Sequence, residues 1–538
     1  MNGRDLVKAA MKCREVPRTP WVPFVGCHGG KLIGVTAQEY LKKPDLLVKG
    51  AAEAVKRYAP DGLPVMFDLQ VEAEALGCDL AWADETPPAV TTHPLIGGNL
   101  DKMIVPSVAD GRIKVAIEAA KLMRKEFPDT ALYGLITGPF TLALHLLGTD
   151  IFMKMYEDPE GLEKLMEFCC KTGEAMASYY IDAGCDVIAV VDPMTSQIGP
   201  EQFVRFVSPF GARLFSHIRS RGSLSSFFVC GQAQQNIAVM CDCKPDNISI
   251  DENIPLDYVR DICLGRGISF GGNLQLTVVL LLGTEDDVKR HALETLDIGK
   301  QSGFILAPGC DLPYATPPCN LEAVASVVRD PYQRRVAQTL AGAGPAPNTL
   351  DMSDYGRSDK VIVDVITLDS EACAPCQYMV EAVKKVTPEF EGVVEWREHK
   401  IKYRESLQFM SSLMVKNIPT ICIDGKITFV SRIPPKEELI TAIQKRIIDK
   451  LKFRIRIKKA AIHILGSLEE CRPVEDNVRR AMKELGEYVE IKAIDDRNEI
   501  ASYGVARTPA VVVVNYSIKS EGIVPQPQVI KEWIKAVL

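Results

Sequence analysis

Phe227-Phe228-Val229-Cys230-Gly231 and Phe304-Ile305-Leu306-Ala307-Pro308-Gly309-Cys310 decide how this chain is read. In each, an apolar run gives way to a cysteine with glycine directly beside it. A run of that kind is a buried strand that delivers a chemically useful side chain at its C-terminal end. Two cysteines delivered in this way, far apart along the chain, point to one shared metal-thiolate site with Cys230 and Cys310 as ligands.

Outward from these stretches, short apolar runs alternate with longer amphipathic segments from Trp21 to Ala307. The runs Trp21–Val25, Leu63–Phe67, Leu132–Thr137, Val187–Val191, Ser226–Cys230, Asn247–Asp251, Ile268–Gly272 and Gly303–Ala307 read as strands. Between them lie helical patterns such as Gly161–Ile181, where Leu162, Leu165, Met166 and Cys169 recur at helical spacing. Eight strand-helix units predict an α/β fold, a (β/α)8 TIM-type barrel over residues 1–340, with functional residues just past the strand ends. Asp192, followed by Pro193, and Asn273 hold such positions and read as substrate contacts.

A length of 538 residues allows several domains with ample core. With 47% hydrophobic and 25% charged residues the composition is that of an ordinary soluble protein, and the net charge of -7 gives no support to a nucleic-acid partner. No apolar stretch has the length of a membrane span, and Met1-Asn2-Gly3-Arg4-Asp5 lacks the hydrophobic centre of a signal peptide, so a cytoplasmic protein without a membrane role is expected. Sixteen cysteines are too thinly spread for a disulfide scaffold. Cys169, Cys170 and Cys185 sit among apolar residues and read as small hydrophobes.

Ala341-Gly342-Ala343-Gly344-Pro345-Ala346-Pro347-Asn348 has the composition of a linker, placed at 341–358. A second unit is expected over 359–448 and a third over 455–538. Lys445 to Lys459, with Phe453, Ile455 and Ile457 interleaved among basic residues, alternates as an edge strand would. The two C-terminal units read as degenerate copies: each runs strand, cysteine-bearing loop, helix, strand, helix, then an apolar strand entered through a proline, Pro419 in one and Pro509 in the other.

Cys373-Ala374-Pro375-Cys376 follows the strand Val361-Ile362-Val363-Asp364-Val365-Ile366 and opens the helix Gln377–Val386. Unpaired amides at a helix N-terminus favour an anion, which lowers the pKa of Cys373, while Cys376 one turn on can resolve a mixed disulfide. With the strand entered through Ile418-Pro419, this pattern resembles the thioredoxin fold. The resemblance implies cis prolines at Pro419 and Pro509, dithiol exchange with Cys373 and Cys376 as catalytic residues, and a disulfide substrate or a reductase as partner. In the third unit Cys471 falls at the second cysteine position and Leu468 at the first. That unit reads as redox-silent, one that packs, docks a partner or builds a homodimer.

Further segments carry a second resemblance: Gly26-Cys27-His28-Gly29-Gly30, Phe67-Asp68-Leu69-Gln70-Val71-Glu72-Ala73-Glu74, Val191-Asp192-Pro193, Val229-Cys230-Gly231, Gly271-Gly272-Asn273-Leu274 and Ala307-Pro308-Gly309-Cys310-Asp311. Together they resemble the uroporphyrinogen decarboxylase superfamily, and within it the methyltransferases that move methyl groups from a corrinoid protein to a thiol such as coenzyme M. Decarboxylases of that superfamily need arginines near Trp21–Leu32 to grip a polycarboxylate, and this chain has none there. Asp68 does match the family's active-site aspartate and is expected to be catalytic.

The methyltransferase branch implies zinc held by a His-x-Cys pair and a later cysteine, which keeps a substrate thiol deprotonated, and methylcobalamin or another corrinoid delivered by a partner protein. The two cysteines fall on Cys230 and Cys310, but the histidine falls on Phe228. His28 is the nearest replacement ligand and Glu72 a second. Two alternatives stay open: a barrel that has lost zinc and serves only as a corrinoid or tetrapyrrole platform for a thiol-disulfide oxidoreductase, and a decarboxylase-like enzyme. For Glu72 and Glu74, a water-facing position and a pocket role also stay open.

Overall fold

Seven parallel strands form the first sheet: β1 (Gly62–Pro64), β2 (Ala131–Thr137), β3 (Val187–Val191), β4 (Leu224–Val229), β5 (Asn247–Ile250), β6 (Ser269–Leu274) and β7 (Phe304–Pro308), adjacent in that order. The computed structural model describes residues 1–299, 302–339, 350, 360–371, 373–459, 461–503, 505, 507–513 and 517–537. Helices between the strands cover the outside, so β2, β3 and β7 are buried along their whole length, and their near-continuous apolar runs follow from burial on both faces.

The sheet curls into a TIM-type barrel, and the eighth position differs from expectation. Trp21–Val25 is not a regular strand. Trp21 makes a single parallel bridge to Leu306, the Leu306 amide donates to the Pro20 carbonyl, and the Asp61 amide donates to the Trp21 carbonyl. The segment thus spans the gap between β7 and β1, but Pro20 and Pro23 have no N–H to donate, so a full ladder cannot form.

Along β4, side chains alternate between the two faces of the sheet. Phe227 packs outward on Phe203 and Phe215 of the helical layer. Phe228 points into the barrel, against Phe24 at 5.2 Å and Phe67 at 6.1 Å between ring centroids. These rings, with Val22, Leu135, Ala189, Val191, Ile305 and Ala307, fill the barrel interior, and Cys230 and Cys310 pack on top of that core.

A second sheet centres on β8 (Val361–Thr367), parallel to β9 (Val394–Lys400) and antiparallel to β10 (Thr420–Ile423), which pairs with β11 (Lys426–Val430). The helix Ala374–Val386 starts directly after Cys373. A third sheet repeats this order with β12 (Ala461–Leu465), β13 (Glu490–Ile494), β14 (Ala510–Val513) and β15 (Ser517–Glu521). In both, the strand after the proline carries an irregularity, at Ile421/Cys422 and at Val511/Val512. The Ile418–Pro419 and Thr508–Pro509 peptide bonds are cis.

The described chain divides into two compact units, Met1–Lys436 and Glu437–Leu538. The first contains the barrel together with the second sheet. The expected linker at 341–358 lies, apart from Leu350, outside the described residues. The edge strand expected at Lys445–Lys459 is instead the end of a helix, Lys436–Lys459. Alternating Phe453, Ile455 and Ile457 do not override a sequence of strong helix formers that follows on from a helix begun at Glu437 and Glu438. Among the described residues no helix is long and apolar enough to cross a membrane.

Candidate active site at the barrel mouth

The strand-end rule brings Cys230 and Cys310 together: their sulfurs lie 3.3 Å apart at the C-terminal end of the barrel. Gly231, with φ +84°, turns the chain immediately after Cys230. Gly309 has a different reason to be glycine. A Cβ there would stand 2.2 Å from Glu252 Oε2, so the missing side chain lets the Glu252 carboxyl lie against the Cys310 loop. The contact with Cys310, followed by burial, pushes the Cys230 thiol well above the ordinary range.

The second sheet sits across this mouth. Cys373, Cys376 and cis-Pro419 line the same cavity of about 150 Å³ as Cys230, Cys310, Asp68, Asp251 and Glu252. Cys376 is buried and Cys373 half-buried, as suits a resolving and an attacking sulfur. The Cys373 thiol, however, is pushed up, first by the adjoining Cys376 sulfur and then by burial, and Cys230 in turn feels the charge of Cys373. Lowering by the helix N-terminus, expected from the sequence, is outweighed by the Cys376 contact together with burial.

Side chains from the dithiol helix hold this placement. Tyr378 is buried between His93 and His145, with ring centroids 6.2 and 6.3 Å away, and its hydroxyl lies 3.1 Å from His145 Nδ1. Gln377 donates to the Val90 carbonyl at 2.8 Å. On the far side, Gln197 accepts from the Ile433 amide and donates to the Ser431 carbonyl.

His28 does not join the cysteine pair. Its Nδ1 faces the Tyr314 carbonyl at 3.1 Å and must donate, leaving Nε2 to accept from the Tyr58 hydroxyl at 2.7 Å. Burial lowers its pKa to about 4, so the ring is neutral with both nitrogens engaged. The assignment of His28 as a ligand is corrected on that ground. Among the described residues no group of three or more His, Cys, Asp or Glu is arranged to hold a metal ion. Phe228, at the position where the resemblance implies a histidine, packs on Phe24 and Phe67 and offers no ligand atom. The residues present therefore do not fit a catalytic zinc with three protein ligands.

The other expected contacts also move away from the cavity. Asp192 is wholly buried, accepting from the Phe140 and Thr141 amides and the Thr141 hydroxyl, so it secures the start of the helix Pro139–Leu147. Asn273 donates to the Asp251 and Ile254 carbonyls and braces their loop. Asp68 does reach the cavity, where it and Glu74 grip the buried Arg112. Glu74 thus answers a charge rather than water.

Glu72 is likewise enclosed, accepting from the Thr137 amide at 2.9 Å. The Thr137 hydroxyl lies within donating distance of both the Leu69 carbonyl, at 2.7 Å, and Glu72 Oε2, at 2.8 Å. Burial outweighs the Thr137 hydrogen bonds, which favour the ionised form, and raises Glu72 to about 7. A carboxyl neutral in the fold and ionised when unfolded makes stability fall as pH rises from about 4 to about 7, by on the order of 3 kcal/mol. Glu72→Gln mimics the protonated acid. It is expected to leave stability unchanged near pH 5 and to raise the first melting transition by several degrees at pH 8; equal melting at both values refutes the protonated assignment.

Two carboxylates escaped the sequence reading. Asp251 accepts from the Gly231 amide and Asn253, and burial raises it to about 6. Glu252 is raised by burial, then by Asp251, to about 8, and its Oε2 is buried without a hydrogen-bond partner. Both directly follow β5, so the rule that singled out Cys230 applies to them equally.

In the unit Glu437–Leu538, Cys471 is buried and its thiol donates to the Gly466 carbonyl at 3.3 Å, while Leu468 is exposed. Ser467 and Glu470 form a capping box at the helix start, where a thioredoxin-type nucleophile would stand.

Likeness to known proteins falls into two parts. Residues 460–535 match the model described as Thioredoxin domain. The methylcobamide:CoM methyltransferase MtaA of Methanosarcina barkeri is 29% identical over 307 residues, 56% of this chain and 88% of that protein. The uroporphyrinogen decarboxylase of Streptomyces avermitilis is 26% identical over 333 residues, 59% and 92% respectively. A solved structure titled methyltransferase from Methanosarcina mazei superposes with a TM-score of 0.58 at 26% identity, covering 62% of this chain and 99% of its own. Residues 2–331 match the model described as Uroporphyrinogen decarboxylase (URO-D), and the chain belongs to that family.

Proposed function

We propose that this chain is a corrinoid-dependent, methyltransferase-like enzyme that moves a methyl group between a corrinoid and a small thiol, with a dithiol module that keeps sulfur in the pocket reduced. The observation that carries this reading is the shared cavity: Cys373 and Cys376 open onto the space lined by Cys230 and Cys310. Thiol methylation fails when the thiol is oxidised, so a reductant at the mouth is chemically apt. The similarity to methylcobamide:CoM methyltransferases over most of their length supports the methyl-transfer half.

A corrinoid supplies a methyl group that a sulfur nucleophile can take. The cavity of about 150 Å³ has room for a small thiol, and the corrinoid is brought to the mouth by a partner protein. Glu252, raised by burial to about 8, titrates close to an ordinary thiol, and its ionised form takes the thiol proton as the sulfur becomes nucleophilic. Asp251 orients the Gly231 turn beside Cys230.

The test is anaerobic incubation of the reduced full chain with methylcobalamin and coenzyme M, following the cobalamin spectrum and the thioether by mass spectrometry. Protein-dependent thioether, reduced at least about tenfold by Glu252→Gln, is the expected result. Absence of thioether with coenzyme M and with a panel of other small thiols overturns the reading. It would leave a second one, a thiol-disulfide oxidoreductase with a non-catalytic barrel, which the occupation of the histidine position by Phe228 favours.

A further inference from the structure

Cys230 and Cys310 are placed like a dithiol. Their sulfurs are already 3.3 Å apart, so a small side-chain rotation reaches the bond length of about 2.05 Å. Among the described residues no third donor completes a metal site around them. Cys373, half-buried, and the buried Cys376 line the same cavity, and Cys230 feels the charge of Cys373.

We propose that Cys230 and Cys310 form a second redox-active pair, and that Cys373 and Cys376 reduce its disulfide by direct exchange through a Cys373–Cys230 mixed disulfide. This deepens the reading of the module as a reductant of pocket sulfur. A small disulfide, the oxidised form of a thiol, oxidises the pair: Cys230 attacks one of its sulfurs, the first thiol leaves with a proton, and Cys310 then displaces the second by attacking Cys230. The Cys373 thiolate next attacks Cys230 Sγ. The bond to Cys310 breaks, and Cys310 leaves as thiolate and takes up a proton. Cys376 attacks Cys373, releasing Cys230 in the same way. Two electrons and two protons pass from the module to the barrel, and the net product is two free thiols in the pocket plus a Cys373–Cys376 disulfide. An external dithiol returns the module to its reduced form.

The test reads cysteine pairing and not methyl transfer, so it stands whether or not the methyltransferase reading holds. Full-length Cys376→Ser is treated with one equivalent of dipyridyl disulfide, quenched with N-ethylmaleimide, digested and analysed by mass spectrometry. A Cys373–Cys230 linked peptide should be the main cross-link. Cys373 recovered only as a pyridyl adduct, with Cys230 and Cys310 alkylated as free thiols, overturns the proposal. A second comparison guards against misfolding of that variant. After the same treatment the unaltered chain should end with Cys373–Cys376 oxidised and the barrel pair free, whereas Cys373→Ser should end with Cys230–Cys310 oxidised. Identical barrel oxidation in the two proteins also overturns it.

Discussion

Cys373→Ser is expected to lower disulfide reduction by the full chain at least about a hundredfold, because a serine hydroxyl is not ionised near neutral pH and Cys376 is buried behind it. Insulin or a small aromatic disulfide serves as substrate, with an external dithiol as electron source. The pH dependence adds a sharper expectation. The adjoining Cys376 sulfur and burial push the Cys373 thiol up, so the thiolate fraction, and with it the rate, should keep rising through and beyond the ordinary thiol range. A rate already flat from pH 6 onward would mean a lowered thiol pKa and would contradict the enclosure of Cys373 at the barrel mouth. Retained activity in Cys373→Ser would remove the assignment altogether.

Phe228→His should produce the second large effect, a gain of metal. Phe228 faces the barrel core on which Cys230, one residue past the end of β4, and Cys310 pack, so an imidazole at 228 should complete the His-x-Cys pattern of the zinc-binding branch. Zinc measured after anaerobic dialysis should rise to about one equivalent per chain, well above that of the unaltered protein, and cobalt substitution should add thiolate charge-transfer absorption. The change breaks ring contacts with Phe24 and Phe67, so a stability loss of about 1–3 kcal/mol should accompany it. Equal zinc in both proteins would show that the aromatic side chain is not what withholds the third ligand.

Much of the fold was legible because buried parallel strands write themselves as unbroken apolar runs. Val187–Val191 emerges with the bounds read from the sequence, and the remaining strands of the sheet are recovered with small shifts at their ends. Trp21–Val25 reads as a strand by its apolar character, but Pro20 and Pro23 deny it a full ladder. Lys445–Lys459 has a local period of two, but the helix that begins at Lys436 runs through it.

At the site, strand ends located Cys230 and Cys310, but they do not say which way a side chain is hydrogen-bonded. Asp192, Glu72 and Asn273 occupy strand ends or the turns beside them, yet each spends its polar atoms on neighbouring backbone or hydroxyl groups. His28 follows the same pattern with Tyr58 and Tyr314. No one-dimensional signal distinguishes such a satisfied group from a ligand. Nor could the sequence reveal that the module around Cys373 covers the barrel mouth, since that depends on Tyr378 finding the notch between His93 and His145.

The helix Ala374–Val386 therefore acts as both plug and wire: its N-cap presents the reactive sulfur while Tyr378, one turn on, is wedged into the barrel wall. Tethering of this kind replaces a chance meeting between two molecules by a local concentration in the millimolar range or above. Electrons entering at Cys373 have one near destination, and diluting the protein should not slow their onward passage.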